Sequence, residues 1–260
     1  MELFDSHAHY DDEKFDIDRD DILKEIYKQG VTKCINIGCD IETSRKSIEL
    51  SQKYDYIYAT CALHPSELPQ TEAKLWKELS EIKNLAKINS KVIAIGEIGL
   101  DYYWNQDNKE LQKIAFIQQI NIANDLGLPI SIHTRDAIDD TIQIIRNNKV
   151  NKGGVLHCCP FNRELVKHGL DVGLYIAFGG TSTFKNSKGA DEIIKMVPLN
   201  RILIETDSPY LSPDPLRGKR NDSRNLKYVV EKIANIRNMS PEEIAKITYN
   251  NAITLFNITK

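Results

Sequence analysis

Short apolar, β-branched runs alternate with longer amphipathic stretches along the whole chain. The longer stretches carry apolar residues three and four positions apart, which is the period of a helix with one buried face. Clear examples are Leu75–Ile88 and Glu110–Leu126. The short runs predict eight strands, at Leu3–His9, Thr32–Gly38, Ile57–His64, Val92–Leu100, Pro129–Arg135, Gly153–Cys159, Tyr175–Gly180 and Ile202–Pro209.

The order of these elements predicts the fold. Nearly continuous apolar strands that alternate with helices indicate a parallel sheet buried on both faces. Eight such units in 260 residues are typical of a single (β/α)8 TIM barrel of the α/β class. Ser240 and Glu243 form a capping-box pattern with Pro241 between them, which predicts an extra C-terminal helix over Ile244–Phe256. We therefore expect one domain over residues 1–260.

Composition and charge restrict the classes of protein further. The net charge of −3 argues against a broad basic surface for long duplexes, although it does not exclude a nucleic acid substrate. Five cysteines without regular spacing indicate reduced thiols. The first strand starts at Leu3, which leaves no room for a signal peptide, and no apolar run approaches the roughly 18 residues of a membrane span. We expect a cytoplasmic protein without a membrane or an obligate protein partner.

Polar residues recur at the carboxyl ends of the predicted strands. In a TIM barrel all the strand ends meet at one rim, so these side chains would converge although they are distant in sequence. A single histidine at such a place is more often a hydrogen-bonded core residue, and a carboxylate there could form a structural ion pair. The recurrence favours a site for two divalent metal ions that activate water. The predicted metal ligands are His7, His9, Glu97, His133, His157 and Asp207.

Further residues are expected at the same rim. His64 could contact a phosphate or a leaving group, and Glu205 could orient a water molecule or a metal ligand. Arg135 follows His133 by two positions and shares its face of the strand, so it is a candidate phosphate clamp. The loop after the eighth strand is a second candidate for substrate binding, or else an ordinary solvated charge run. Its basic residues are Arg217, Lys219 and Arg220.

Several motifs resemble those of a known family, the TatD family of metal-dependent deoxyribonucleases. The motifs are Asp5-x-His7-x-His9, Ala94–Tyr102, Pro129-x-x-x-His133-x-Arg135, Glu205–Leu211, Arg217–Asn221 and Asn251-Ala252 with Leu255-Phe256. They follow the family's order along the whole chain. The motifs of the fourth and eighth strands are long and specific to the family.

The resemblance implies a TIM barrel of the amidohydrolase-like group that hydrolyses DNA, often in the 3′→5′ direction from single-stranded ends. It makes the six residues above metal ligands, and it makes His64 and Glu205 additional active-site residues. Asp207 is our candidate for the acceptor of the water proton as well as a ligand. Two divalent ions are expected. Mg²⁺ is the ion that the family suggests, while the imidazole ligands also suit Zn²⁺ or Mn²⁺.

The chain departs from the family pattern at three places. His157-Cys158-Cys159-Pro160-Phe161 replaces the usual His-Cys-Phe-Ser-Gly, Ala62 and Ser66 replace a glycine and a histidine, and Asp222-Ser223 replaces Glu-Pro. All three are expected at the mouth of the barrel and bear on substrate preference. An alternative function therefore stays open, namely a metal-dependent ester or amide hydrolase such as a deacylase of mischarged aminoacyl-tRNA. A second alternative is a binding protein with a residual site.

Overall fold

Eight parallel strands form one sheet in the order of the sequence. The computed structural model describes residues 1–104 and 107–258, so positions 105–106 and 259–260 of the expected domain lie outside the described residues. Ala8 pairs with Ser208 in a parallel bridge, which joins the first strand to the segment after the last one. The predicted TIM barrel is confirmed. The strands are β1 (Leu3–Ala8), β2 (Val31–Asn36), β3 (Ile57–Cys61), β4 (Val92–Asp101), β5 (Ile130–Arg135), β6 (Gly154–Leu156), β7 (Tyr175–Phe178) and β8 (Ile202–Ile204).

Helices follow the strands and surround the barrel, and the predicted C-terminal helix is present with its capping box at Ser240 and Glu243. Within the described residues they are α1 (Arg19–Lys28), α2 (Ile41–Lys53), α3 (Glu72–Ile88), α4 (Lys109–Leu126), α5 (Ile138–Asn147), α6 (Arg163–Asp171), α7 (Ala190–Met196), α8 (Leu226–Arg237) and α9 (Pro241–Leu255). Helix α4 ends at Gly127, whose φ of 67° is left-handed, a conformation that glycine adopts without a side-chain clash. Across the described ranges, we find no helix with both the length and the apolar character needed to cross a membrane.

Several strands are shorter than the sequence pattern predicts. Strand β3 ends at Cys61, β6 at Leu156 and β8 at Ile204, whereas the pattern extended them to His64, Cys159 and Pro209. In β6 and β8 the physical reason is a local turn, because Cys158 and Asp207 have left-handed φ angles of 42° and 57°. A ladder does not continue through such residues. His64, His157, Glu205 and Asp207 therefore lie in the segments that leave the strands.

The hydrophobic core has two parts. The larger part lies between the outside of the barrel and the helices. The smaller part joins residues of six strands to helix α9, as in the ring of Phe4, whose centroid lies 6.1 Å from that of Phe256. Thr32, near the start of β2, donates to the hydroxyl of Tyr249 on α9. Helix α9 therefore covers the amino-terminal end of the barrel, which leaves the carboxyl-terminal end free for a site.

Asn251 fixes α9 to the start of β8. Its side-chain amide donates to the backbone carbonyl oxygens of Leu199 and Ile202, at 2.8 and 2.9 Å. We expect Asn251→Ala to lower the free energy of unfolding by about 1–3 kcal/mol, because two carbonyl groups lose their buried donor. Urea denaturation measures this change.

Asn250→Ala is the matched control. Asn250 is the preceding residue on α9 and its side chain is half-exposed. The two substitutions gain the same helix propensity, so the difference between them isolates the hydrogen bonds. Equal stabilities of the two variants would contradict the anchoring role of Asn251.

Candidate metal centre

The carboxylate of Glu97, in β4, lies among four imidazoles at the carboxyl end of the barrel. Its Oε1 atom is 2.7 Å from His133 Nδ1, 3.4 Å from His157 Nε2 and 3.6 Å from His64 Nε2. Its Oε2 atom is 3.4 Å from His7 Nε2. Although burial opposes ionisation, the neighbouring histidines, His157 first among them, hold the pKa of Glu97 well below its usual range. An ionised carboxylate is therefore fixed at the centre of the rim.

His7, His9 and Asp207 form a second group beside Glu97. The Nε2 atoms of the two histidines are 3.2 Å apart, and Oδ1 of Asp207 lies 3.3 Å from His9 Nε2 and 3.6 Å from His7 Nε2. Burial lowers the pKa of His7, which favours the neutral imidazole that binds metals. Although burial opposes it, the hydrogen bond from His9 keeps the pKa of Asp207 below its usual value. The neutral imidazole of His7 and the carboxylate of Asp207 therefore lie around a common point, with the ring of His9 beside them.

The donor atoms fit divalent cations. Two groups of side chains, His7 with His9 and Asp207, and His64 with Glu97 and His133, each offer three ligand atoms that lie within 4.8 Å of one another. Among the described residues, the buried Nδ1 atom of His7 has no hydrogen-bond partner. Such convergence of nitrogen and oxygen donors is costly in a buried site without a compensating cation. The predicted ligands are thus brought together, in an arrangement suited to metal ions.

Two carboxylates lie behind the histidines and hold their rings. Asp101 Oδ2 accepts from His133 Nε2 at 2.9 Å, while its Oδ1 accepts the backbone N–H groups of Tyr103 and Trp104. Although burial opposes it, hydrogen bonds that His133 donates to Asp101 and Glu97 raise its pKa to about 9. A carboxylate behind a histidine fixes the orientation of the ring and makes it a more basic ligand.

Glu205 lies behind His157. Its Oε1 atom lies 3.0 Å from His157 Nδ1 and accepts the backbone N–H of Cys158 at 2.7 Å. Glu205 is 1% exposed, and it is not among the residues that line the cleft described below. Strand β8 ends at Ile204, so Glu205 lies in the segment that leaves the strand. Of the two roles considered for Glu205, its contacts favour orienting a ligand.

An open cleft of about 760 Å³ lies over these groups. Arg135 lines it, and its guanidinium carbon lies 3.7 Å from the centroid of the Tyr103 ring. Its walls also contain His64, Trp104, Thr181, Tyr210, Leu211 and the segment Cys158–Pro160. Of the positions that depart from the family pattern, Ser66, Cys159 and Pro160 therefore line the cleft, as expected of the mouth. The expectation is wrong for Ala62, Asp222 and Ser223, which are buried and do not line it.

The basic loop after β8 is placed differently from Arg135. Arg220 forms a bidentate ion pair with Asp18, at 2.6 and 2.8 Å, and Arg217 lies over the ring of Phe184. Neither these two residues nor Lys219 line the cleft as the structure describes it. The same loop ends at Asn221, whose buried amide donates to the carbonyl groups of Thr206 and Tyr210. The contacts of the loop are thus mainly structural.

Two residues of the site were missed by the sequence reasoning. Asp101 lies four positions after Glu97 in β4, so strand alternation predicts that the two side chains share a face. Cys39 lines the cleft just after β2, and its thiol lies in a group with His9 and Glu97. Cys39 directly follows the predicted strand Thr32–Gly38, so the search for polar residues at strand ends that identified the histidines could also have identified Cys39.

A TIM barrel whose open rim gathers histidines and carboxylates defines a metal-dependent hydrolase. Comparison with known proteins agrees, since the family model described as TatD related DNase matches residues 4–257. The chain belongs to this family, and it is a metal-dependent hydrolase that acts on ester bonds.

Individual relatives match over nearly their whole length. The metal-dependent hydrolase YabD of Bacillus subtilis is 41% identical over 258 residues, which cover 98% of this chain and 99% of that protein. The 3′-5′ ssDNA/RNA exonuclease TatD of Salmonella typhimurium is 32% identical over 265 residues, with 98% and 99% covered. The crystal structure of YJJV, a TatD homologue from Escherichia coli K12, has a TM-score of 0.92 at 27% identity and covers 99% of this chain.

The contact between Asp101 and His133 leads to a test of the candidate centre. We expect Asp101→Asn to weaken the binding of Mn²⁺ on the order of 10–100-fold, because the carboxylate that orients His133 loses its charge. Equilibrium dialysis of the metal-free protein measures the affinity. Asp125→Asn is the control, since Asp125 pairs with Lys83 on the outer surface. Equal affinities of both variants would contradict a role for Asp101 in holding the site.

Proposed function

We propose that this protein is a metal-dependent deoxyribonuclease that removes nucleotides from the 3′ ends of single-stranded DNA. The observation that carries the proposal is the ionised Glu97 within reach of four imidazoles, in an open cleft with a guanidinium group on its wall. The family and the relative named as a 3′-5′ exonuclease support the substrate class. We further propose that residues 1–260 act as one hydrolase domain.

The proposed ligands are His7, His9, Glu97, His133, His157 and Asp207. His7, His9 and Asp207 form one group of converging donors, and Glu97 lies 2.7 Å from His133 and 3.4 Å from His157, which supports two ions. We propose Mg²⁺ as the functional ion from the family, with Zn²⁺ or Mn²⁺ also suited to the imidazoles. Bound divalent cations supply an activated water and stabilise negative charge on a phosphoryl oxygen.

The chain's own groups then have distinct roles. Asp207 is ionised and faces the cleft, so it accepts the proton of the attacking water. His64 Nδ1 bonds to the hydroxyl of Ser66 at 2.7 Å, and this contact orients the ring toward the cleft, where it meets the phosphate or the leaving group. Glu205 acts through His157 as a positioning residue. Its conservative variant, Glu205→Gln, keeps the shape of the contact while removing its charge.

Arg135 is the proposed phosphate clamp. It reaches the cleft while it stacks on Tyr103, so its guanidinium is oriented before a substrate arrives. We propose that Arg217, Lys219 and Arg220 contact only parts of the substrate outside the cleft. Arg220 is already paired with Asp18, and Arg217 already lies over the ring of Phe184. A location in the cytoplasm is part of the proposal, and the five free cysteines suit a reducing compartment.

The test is a cleavage assay with single-stranded DNA labelled at one end or the other. With Mg²⁺ or Mn²⁺ we expect mononucleotides to be released from the 3′ end. Glu97→Ala should lower the rate on the order of a hundredfold or more, because a cation supplies several kcal/mol of charge stabilisation. Glu110→Ala, on the exposed face of α4, is the control that should keep the activity.

Cleavage that is independent of metal, or equal rates for Glu97→Ala and Glu110→Ala, would contradict the proposal. The same preparations are assayed with an aminoacyl-tRNA ester. The same site could serve either reaction, because both need an activated water and a polarised oxygen. Hydrolysis of that ester with the DNA left intact would therefore show that the protein is a deacylase and not a nuclease.

A further inference from the structure

A cysteine lies among the candidate ligands at the end of β2. Cys39, His9 and Glu97 each offer one potential ligand atom, and these three atoms lie within 4.8 Å of one another. Donors that bind one zinc ion at about 2.0–2.3 Å can be at most roughly 4.6 Å apart. In a tetrahedral zinc site such donors lie roughly 3.3–3.8 Å apart, so side-chain adjustments on the order of 1 Å would bring all three donors onto one ion.

The backbone of Cys39 is held in place on both sides. Its N–H donates to Oγ1 of Thr43 at 2.9 Å, and its carbonyl oxygen accepts the N–H of His64 at 2.7 Å. The next residue, Asp40, forms the capping box of α2. These contacts fix the backbone between β2 and α2, and Cys39 lines the cleft from this segment.

The other cysteines differ from Cys39. Cys34 and Cys61 are buried within strands. Cys158 and Cys159 line the cleft, but within the part of the chain that the structure describes neither belongs to a group of three potential ligands. Sulfur is a soft donor that favours Zn²⁺ and similar ions, while Mg²⁺ prefers oxygen. Cys39 therefore adds a chemical preference that imidazoles and carboxylates alone do not provide.

We propose that Cys39 is a third donor, together with His9 and Glu97, for a thiophilic divalent cation such as Zn²⁺ at this rim. The inference rests on the proposed metal centre and specifies the ion that one of its positions selects. When the cation binds, the S–H bond of Cys39 breaks, the proton passes to solvent, and the sulfur lone pair forms the bond to the metal. The sulfur is neither oxidised nor reduced.

Cobalt reports this bond directly. Co²⁺ is titrated into the metal-free full-length protein, and the near-ultraviolet absorption that arises from charge transfer between thiolate sulfur and cobalt is recorded. We expect the band in the unchanged protein and its loss in Cys39→Ser and Cys39→Ala. Cys158→Ser and Cys159→Ser are the matched controls, which should keep the band. Chelator competition should show Zn²⁺ bound more weakly by Cys39→Ser, on the order of 100-fold or more, because loss of a direct ligand costs at least as much as loss of the group that orients one, with Mg²⁺ affinity unchanged.

The other outcomes overturn the proposal in distinguishable ways. Cobalt bound with its visible bands but without the sulfur band would show that the thiol is not a ligand, while the proposed metal centre stands. A band that persists in Cys39→Ala and disappears in Cys158→Ser would assign the sulfur to another residue. Failure to bind Co²⁺, Zn²⁺ and Mg²⁺ would remove the metal centre itself and the proposed function with it. Circular dichroism of each variant verifies that it is folded.

Discussion

The buried carboxylate of Glu97 is the group on which the site depends. Removing a carboxylate from water costs on the order of several kcal/mol unless other groups compensate for its charge. Here the compensation comes from imidazoles on four different segments, with His133 at 2.7 Å and the other three between 3.4 and 3.6 Å. Because each histidine comes from a different part of the chain, the charge is compensated only when the barrel is closed. The site is therefore complete only in the folded barrel.

The junction of β1 with the end of β8 completes this arrangement. Asp5 accepts hydrogen bonds from the backbone and hydroxyl of Thr206 and from Ser223, and the N–H of Asp207 donates to the carbonyl oxygen of His7. Burial raises the pKa of Asp5 to about 7, although these hydrogen bonds oppose the increase. Asp5 also accepts the backbone N–H of His7, so its contacts hold the backbone at this rim. The hydrogen bond from the N–H of Asp207 to His7 keeps the Asp207 carboxylate beside the His7 ring, at 3.6 Å.

The sequence was most informative where the site residues lie in regular strands. His7, Glu97 and His133 were found from their places at strand ends, because a parallel barrel converts strand position into position at the rim. The sequence was less informative for residues that follow the ends of the strands. Glu205 and Asp207 follow the end of β8 at Ile204, so the directions of their side chains cannot be read from strand alternation. The partner of Arg220 is Asp18, about 200 positions away, and no local pattern reports such a pair.

The central claim is that the convergence around Glu97 is a divalent metal centre. Anomalous diffraction from crystals grown with Mn²⁺ tests it most directly, because the anomalous signal locates the ion independently of the protein coordinates. We expect anomalous peaks in contact with Glu97 and with the group of His7, His9 and Asp207. A map with Mn²⁺ bound only at the outer surface, and protein side chains alone around Glu97, would contradict it.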